Sequence, residues 1–228
     1  MEFFSVQSRF NFTNDYERMI PEVIYLHYLS ALLEGDKKQC MQIVSDLIDK
    51  NECIKDIYLS LFQRSMYRIG QMWEKEKCSV AEEHIATKIT ECLVEFTTQK
   101  FASRSRNGRQ IILTCIDKEY HELGARMVAG FFEANGWDAL FLGSSTPTNE
   151  LLRLIELKKP DLFGISINFY INVSRLVKLI NSVESRFPEQ KILVGGQALA
   201  EGRAHVLDKF ENVKYICSLD ELDRYIKE

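Results

Sequence analysis

The sequence predicts a chain of two parts, a four-helix bundle followed by a five-stranded parallel sheet flanked by helices. Two observations predict this fold class. Up to about residue 103 the apolar residues recur at helical spacing, whereas from residue 108 short apolar runs alternate with amphipathic helical segments. The polar stretch 103–110 separates the two patterns. We therefore expect an α plus α/β chain, with a helical bundle in 1–107 and a Rossmann-like (flavodoxin-like) domain in 108–228.

Helical spacing of the apolar residues predicts four helices in the first part. They lie within 23–36, 40–50, 54–73 and 80–101, and their short connections are typical of antiparallel neighbours. At the start of the fourth helix, Ser79 and Glu82 have the spacing of a capping box. This start places Glu83 and His84 in the first turn of that helix.

The second part alternates predicted strands with predicted helices. The strands are expected at 111–116, 139–143, 161–167, 191–196 and 213–217, and the helices at 124–137, 148–159, 173–187, about 200–210 and 219–228. This alternation predicts a parallel sheet with right-handed crossovers and helices on both faces.

Composition and charge exclude several classes of protein. The formal net charge of -4 argues against the basic surface that nucleic-acid binding requires. No apolar run approaches the roughly 18 residues of a membrane span, and residues 1–12 lack the pattern of a signal peptide. The six cysteines contain no C-x-x-C pair, which favours free thiols over zinc sites or disulfides. We expect a cytoplasmic protein with neither a membrane nor a nucleic acid as a direct partner.

Ligands of open α/β sheets bind at the carboxyl ends of the strands, so the residues there are the candidates for a binding site. Small and polar residues follow four of the predicted strands: Asp117, Glu119, His121 and Gly124; Gly143 to Asn149; Ser166 and Asn168; and Gly195 with Gly196. The first of these loops lacks the G-x-G-x-x-G pattern of dinucleotide sites, and the chain has no phosphate-binding P-loop motif. NAD, FAD and nucleoside triphosphates are therefore not the expected ligands.

His121 stands two residues after the acid Glu119, a spacing that suits metal ligation. One ring nitrogen can bind the metal while the other donates to the carboxylate that fixes the tautomer. The other histidines, 27, 84 and 205, do not form a zinc site with it by spacing, so a metal here would take most of its ligands from a non-protein group. The alternative is a surface histidine between two solvated acids.

Three motifs resemble the cobalamin-binding domain family. Glu119-x-His121-x-x-Gly124 resembles its D-x-H-x-x-G box, Ser166-Ile167-Asn168 stands where the family has S-x-L or S-x-T, and Gly195-Gly196 follows in order. The resemblance implies that the corrin ring supplies four nitrogens to cobalt and that His121 supplies the lower axial ligand, in place of the cofactor's dimethylbenzimidazole. It also implies that Ser166 bonds the displaced base and that the glycine pair makes room for the nucleotide tail. Glu119 departs from the family's aspartate.

The first part has a motif of its own. Trp73, nine further residues and Glu83-His84 form W-x9-E-H, which resembles the adenosylcobalamin-dependent photoreceptor regulators, a branch of the MerR-type repressors. The resemblance implies that the bundle caps the upper corrin face, with Trp73 beside the 5'-deoxyadenosyl group and Glu83 and His84 lining the same pocket. By its position alone, Trp73 also fits a core residue at a helix end. Where some relatives have a histidine after the tryptophan, this chain has Glu74.

These resemblances imply a cobalamin-binding sensor rather than an enzyme. We expect it to bind adenosylcobalamin base-off and His-on, to lose the upper axial ligand in light, and so to act in transcriptional regulation. Only about twenty residues precede the bundle, where the photoreceptor regulators have a DNA-binding domain. We therefore expect the partner to be a separate regulatory protein or a second copy of the chain in a homo-oligomer. Two alternatives stay open: a corrinoid methyl-carrier protein using methylcobalamin, and, less favoured, the small subunit of an adenosylcobalamin mutase.

Overall fold

The computed structural model describes residues 20–102 and 105–227, which form two compact units. The first unit ends at Leu93 and the second begins at Val94. This division by internal packing falls within one long helix, and the domain boundary expected between residues 107 and 108 stays a prediction. Residues 1–12, on which the signal-peptide argument depends, and part of the polar stretch 103–110 lie outside the described residues.

The first unit is helical, as predicted. Its helices are α1 (Glu22–Leu33), α2 (Lys37–Asp49), α3 (Ile54–Asp56), a π-helical segment (Ile57–Gln63), α4 (Arg64–Glu74) and α5 (Val80–Phe101), whose last turns belong to the second unit. Large aromatic side chains fill its core: Tyr28, Tyr58 and Phe62 are wholly buried, and the ring centroids of Tyr28 and Phe62 lie 6.0 Å apart. Asp36 caps α2, because its Oδ1 accepts the amide of Gln39 at 2.9 Å.

The third predicted helix is continuous but not regular. The expected single helix over 54–73 contains seven π-helical residues, Ile57–Gln63. In a π-helix the amides bond to carbonyls five residues back, which widens the turn. Ile57, Tyr58, Leu61 and Phe62 are all wholly buried in this segment. Apolar spacing alone did not distinguish this winding from an ordinary helix.

The predicted capping box at the start of α5 is present. The Ser79 amide donates to Glu82 Oε2 at 2.7 Å, and the Glu82 amide donates to Ser79 Oγ at 3.2 Å. These reciprocal bonds satisfy two amides that the helix itself leaves without acceptors. The box therefore determines where Glu83 and His84 lie.

The second unit contains the predicted five-stranded parallel sheet. Its strands are β1 (Gln110–Cys115), β2 (Asp138–Phe141), β3 (Leu162–Ser166), β4 (Ile192–Gly195) and β5 (Val213–Tyr215), and its further α-helices are α6 (Leu123–Ala134), α7 (Thr148–Lys158), α8 (Val173–Arg186) and α9 (Leu219–Lys227). The strand order is β2-β1-β3-β4-β5, the flavodoxin-like order. Helices flank a core that includes the wholly buried Ile112, Phe163 and Val194. The predicted fold class is confirmed.

One predicted helix is wrong. The stretch expected as a helix at about 200–210 forms a short 3-10 helix, Arg203–Leu207, preceded by another at Gln197–Leu199. Between them Gly202 adopts a left-handed conformation, with a φ of 81°, which interrupts any continuous helix. A further 3-10 helix, Tyr170–Asn172, leads into α8.

Two other expectations from composition can be compared with the structure. All six cysteines are free thiols, as predicted, and Cys40, Cys78 and Cys115 are buried. Within 20–102 and 105–227, no helix has both the length and the apolar character needed to cross a bilayer.

Candidate functional site

The sheet brings the three sequence motifs of the second unit to one edge. Cys115, the last residue of β1, pairs with Ser166, the last residue of β3, and Ser166 pairs with Gly195, the last residue of β4. The loops that follow these strands therefore begin at the same level. The strand order reverses between β1 and β3, because the chain adds β2 on one side of β1 and β3 on the other, and flavodoxin-like folds bind their ligands at this point.

A buried glutamate holds the ring of His121. Glu119 is wholly buried, whereas the His121 side chain is 62% exposed, and His121 Nδ1 lies 2.9 Å from Glu119 Oε1. Next to a carboxylate, Nδ1 carries the proton and donates it, so Nε2 keeps the lone pair that can bind a metal. This is the hydrogen bond that the sequence predicts. The alternative of a histidine between two solvated acids is wrong, because Glu119 is not solvated.

Glu119 also bonds to the loop after β3. Its Oε2 accepts the amides of Asn168 and Phe169, each at 3.0 Å, and its Oε1 accepts the His121 amide at 3.2 Å. One carboxylate thus bonds both the histidine and the neighbouring loop. With glutamate in place of the family's aspartate, the acceptor for the imidazole is kept.

The charge of Glu119 is stabilised where it is buried. Burial by itself raises the pKa of this carboxyl, but the hydrogen bonds from the His121 ring and from the amides of Asn168, His121 and Phe169 outweigh it. The net result is that the pKa of Glu119 lies below its usual range. The carboxylate therefore stays ionised at neutral pH and can continue to accept from the imidazole.

Asn168 connects three loops at this edge. Its Nδ2 donates to the backbone oxygen of His121 at 3.1 Å, and its Oδ1 accepts the amide of Gln197 at 3.4 Å. The side chain thus joins the loops after β1, β3 and β4. The motif predicted a site residue at this position, but the pattern alone did not indicate these two bonds.

The second glutamate of the first loop has a separate role, which sequence analysis missed. Glu122 Oε1 accepts the amide of Ser144 at 2.7 Å, in the loop after β2. Gly143 precedes Ser144 with a φ of 70°, and a Cβ there would stand 3.1 Å from Glu122 Oε1. The two acids beside His121 therefore join its loop to two different neighbouring loops. Gly143, a glycine at a predicted strand end, was the one available signal.

The three predicted glycines differ in how much free space lies beside their Cα atoms. An added Cβ at Gly124 would meet nothing within 4 Å, and one at Gly195 would meet only Ile216 O, at 3.9 Å. Gly196 has a φ of 101°, and a Cβ there would lie 2.1 Å from Ile167 O. The protein's own backbone therefore requires glycine at Gly196, whereas the space at Gly124 and Gly195 is open for a ligand.

Ser166 ends β3 beside the buried Cys115. Its backbone oxygen accepts the Ile116 amide at 3.0 Å. Burial, together with the charges of Glu122 and Glu119, raises the pKa of Cys115 to about 12, against the opposing hydrogen bond from Ser166. Cys115 is thus a neutral, buried thiol at physiological pH.

Large apolar side chains that no motif includes follow or precede the motif residues in the chain. The Phe169 ring contacts the imidazole edge-on, with centroids 4.8 Å apart. Tyr120, Tyr170 and Ile171 are 71%, 50% and 83% exposed. Large apolar groups exposed together on a folded domain commonly mark a binding surface. Their positions next to the motif residues in the chain were the only sequence signal.

In the first unit the structure brings Glu83 and His84 together at the start of α5. Glu83 Oε2 lies 3.5 Å from His84 Nε2, and Thr87 Oγ1 donates to Glu83 Oε1 at 2.8 Å. Trp73, next to the last residue of α4, is 41% exposed. The alternative of a core tryptophan is therefore wrong, and the indole has a surface that can contact a ligand.

The metal-binding side chains at hand distinguish a site built from protein ligands alone from one in which a macrocycle supplies most ligands. In the part of the chain that the structure describes, no group of three or more histidine, cysteine, aspartate or glutamate side chains could hold a metal ion. A single oriented imidazole, with apolar side chains and open glycines around it, instead fits a metal whose other ligands come from a macrocycle. These residues fit a corrinoid cofactor.

Comparison with known families agrees with this geometry. A model of the B12 binding domain matches residues 109–217, and a second B12 binding domain model matches residues 27–96. The chain therefore belongs to the family of cobalamin-binding proteins. It contains both the helical and the α/β B12 binding domains.

Individual relatives fall into two groups. Over 99 residues the chain is 29% identical to the HTH-type transcriptional repressor CarH of Myxococcus xanthus. The matched residues make up 43% of this chain and 32% of that protein. The chain thus spans about a third of the length of that relative. The monomethylamine corrinoid protein of Methanosarcina barkeri has the same fold, with a TM-score of 0.75 and 13% identity over 90% of this chain and 98% of that one. The methanol:cobalamin methyltransferase complex MtaBC from Methanosarcina barkeri overlaps with a TM-score of 0.48 at 13% identity, over 92% of this chain and 82% of that one.

Proposed function

We propose that this chain is a cobalamin-binding sensor that holds adenosylcobalamin base-off, with His121 as the lower axial ligand, and responds to light by losing the upper axial ligand. The observation that carries the proposal is the hydrogen bond of 2.9 Å between the exposed His121 ring and the buried Glu119. It provides one imidazole with a defined tautomer, which is what a cobalt ion in a corrin ring requires of the protein.

Each residue around His121 has a part in this proposal. Glu119 keeps the proton on Nδ1 and leaves Nε2 to bind cobalt, and Asn168 and Glu122 hold the loop in place. Ser166 would bond the displaced base of the cofactor, and the open space at Gly124 and Gly195 would take its nucleotide tail. The exposed Tyr120 and Ile171 would cover apolar parts of the corrin ring.

The upper ligand is assigned from the first unit. Trp73 offers an indole surface on which an adenine can stack, and Glu83 with His84 offers polar groups to a ribose. When bound, adenosylcobalamin supplies a cobalt–carbon bond that green light breaks. Trp73, Glu83 and His84 would then lose the group they hold, and the surface around them would change. Because Glu74 stands where some relatives have a histidine, this position cannot provide an imidazole to cobalt after illumination.

The signal would pass to another protein or to a second copy of the chain. The repressor CarH is similar to this chain over 99 residues, and the acidic net charge of -4 favours a protein partner over nucleic acid. The proposed role is therefore regulatory, and the chain itself would catalyse no reaction.

A second candidate function is a corrinoid methyl carrier. The observation that favours it is the overlap with the monomethylamine corrinoid protein over 90% of this chain, at a TM-score of 0.75. A methyl group is far smaller than an adenosyl group, so a carrier needs no exposed indole to stack on its upper ligand. The exposed Trp73 at the end of α4 and the Glu83-His84 pair at the start of α5 therefore favour the sensor.

The test is an absorption spectrum before and after green light. The purified chain is loaded in the dark with adenosylcobalamin, alongside His121→Ala. A base-off, His-on spectrum that changes on illumination, and that the variant lacks, is the expected result. A spectrum that light leaves unchanged would contradict light sensing. Refusal of adenosylcobalamin with tight binding of methylcobalamin, and methyl transfer to an added acceptor, would favour the carrier.

A further inference from the structure

A single peptide group in the loop after β4 is bound at both of its polar atoms by side chains of other elements. Tyr215, the last residue of β5, donates its phenolic hydrogen to the backbone oxygen of Gly196 at 3.0 Å. The amide of the same peptide group, which belongs to Gln197, donates to Oδ1 of Asn168 at 3.4 Å. These two hydrogen bonds give the plane of the peptide one orientation.

The strand register places Tyr215 on the face of the sheet opposite to the ligand motifs. Tyr215 pairs with the wholly buried Val194, so both side chains leave the same face of the sheet, where Tyr215 packs against the core. Gly195, the next residue of β4, pairs with Ser166, and both therefore belong to the other face. Tyr215 thus reaches the edge of the site through the backbone oxygen that it holds.

Gly196 gives this peptide a conformation that needs support from other residues. Its φ is 101°, and glycine has more backbone freedom than any other residue. The carbonyl of Ile167 leaves no space for a side chain here, so the hydrogen bonds to the peptide limit its rotation. Burial, together with the nearby Cys217 and Glu221, raises the pKa of Tyr215. The hydroxyl therefore keeps its proton and stays a donor at neutral pH.

From this peptide the contacts continue to the loop that carries His121. The Asn168 side chain, which accepts the Gln197 amide, also donates from Nδ2 to the backbone oxygen of His121 at 3.1 Å. The Asn168 amide donates to Oε2 of Glu119, and Oε1 of that carboxylate accepts from the His121 ring. The path from Tyr215 to His121 thus consists of one peptide group and one amide side chain.

We propose that Tyr215 positions the axial imidazole of His121, through the peptide group that it holds and through Asn168. The inference rests on the proposed function, because it concerns the ligand of cobalt. Without the hydroxyl, the Gly196 oxygen loses its donor and the peptide is free to rotate, so Asn168 loses a fixed partner. The loop of His121 then takes up more orientations. Because the imidazole must be ordered before it binds a metal, this lost order weakens binding.

The first measurement uses the chain without cofactor. Tyr215→Phe keeps the ring and removes only the hydroxyl, so the packing of the sheet is kept. We expect the backbone amide of His121 to exchange its hydrogen with solvent about tenfold faster than in the wild type, because its loop opens more often. The amide of Gln110, which donates to Asp161 at the other end of β1, should exchange at the wild-type rate.

Tyr225→Phe is the matched control for this measurement. It removes a hydroxyl from another half-buried tyrosine of the same unit, on α9. Tyr225 lines the cavity that contains Pro160 and Asp161, at the opposite end of the sheet from the motifs. Exchange of the His121 amide should stay at the wild-type rate in this variant. Equal exchange in the wild type and in Tyr215→Phe would overturn the inference.

The second measurement is a double-mutant cycle with the cofactor. Tyr215→Phe, Asn168→Ala and their combination are titrated with adenosylcobalamin in the dark. In the wild-type background Tyr215→Phe should raise the dissociation constant about tenfold, as expected when a group that orients a metal ligand is lost. After Asn168→Ala the same change should raise it by less than about twofold, because the path is already broken.

The outcomes separate the inference from the proposed function. Equal factors in the two backgrounds, with tight binding by the wild type, would overturn the inference and leave the proposed function intact. A wild-type chain that binds no cobalamin would overturn the proposed function. In that case the exchange of the His121 amide would still decide whether Tyr215 acts on the loop of His121.

Discussion

Oε1 of Glu119 accepts a hydrogen bond from Nδ1 of His121 at 2.9 Å, while Oε2 of the same carboxylate accepts two amides of the loop after β3. One buried acid therefore both selects the tautomer of the histidine and joins its loop to the next. Stability of the edge and orientation of the imidazole depend on the same group. A change at Glu119 should affect the two together.

The first prediction concerns Glu119→Gln. A glutamine keeps the shape, but its amide nitrogen cannot accept the bonds that a carboxylate oxygen accepts. We expect the free energy of unfolding to fall by about 1–3 kcal/mol, because buried donors lose their acceptor. The fraction of bound cobalamin in the His-on form should fall as well. Urea unfolding and absorption spectra measure the two effects.

The control is Asp117→Asn in the same loop. Asp117 is exposed and lies 3.4 Å from Arg175, so its loss should change the free energy of unfolding by no more than about 0.5 kcal/mol. Equal effects of the two substitutions would contradict the role assigned to Glu119.

The second prediction separates the two adjacent glycines. Gly196→Ala should destabilise the apo protein severely, by about 3 kcal/mol or more, since the new Cβ would collide with Ile167 O in a backbone conformation that favours glycine. Gly195→Ala should leave the unfolding midpoint nearly unchanged, because its surroundings are open, and should weaken cobalamin binding. Thermal unfolding of both variants and titration of Gly195→Ala measure this difference. Equal stability of the two variants would contradict it.

The third prediction concerns the exposed apolar side chains near His121. Ile171→Ser should leave stability unchanged, because the side chain is 83% exposed, and should weaken cobalamin binding about tenfold through lost apolar contact. Leu157→Ser is the matched control, since Leu157 is 77% exposed on α7. If both variants bind cobalamin equally well, Ile171 does not contact the corrin ring.

The fourth prediction is a pH effect at the start of α9. Glu221 Oε2 accepts the Cys217 amide at 2.8 Å, and the Glu221 amide donates to Ser218 Oγ. The hydrogen bond from Cys217 lowers the pKa of Glu221 against a partial opposing effect of burial. A lowered folded-state pKa means that the unfolded state binds more protons near the ordinary pKa of a glutamate. The stability from this group is therefore present above that pKa and is lost as pH falls through the lower folded value.

The variant Glu221→Gln should reduce this dependence. Below pH 4 the unfolding midpoint of the variant in urea should approach that of the wild type. At pH 7 the free energy of unfolding of the wild type should be higher by about 0.5–1 kcal/mol. The difference is small because the Glu221 side chain is partly exposed. A difference between the two proteins that does not change with pH would contradict the assigned charge state.

Local patterns predicted the secondary structure where a few neighbouring residues decide it. The capping box of Ser79 and Glu82 depends on residues three apart and is present as predicted. The π-helical segment Ile57–Gln63 and the 3-10 helix Arg203–Leu207 were not predicted. In the second case Gly202 interrupts a helix that the apolar spacing favoured, and in the first the spacing fits both kinds of helix.

The sequence by itself determined the fold class, the order of the motifs along the strand ends and the pairing of Glu119 with His121, because helical periodicity, strand alternation and a two-residue spacing are local properties of the chain. Only the tertiary structure decided that Glu119 reaches the amides of the loop after β3 and that Glu122 reaches Ser144, since these bonds join residues far apart in the chain. It also decided that the backbone carbonyl of Ile167 requires Gly196, whereas the space beside Gly124 is open, because what surrounds a glycine depends on atoms that the fold brings to it.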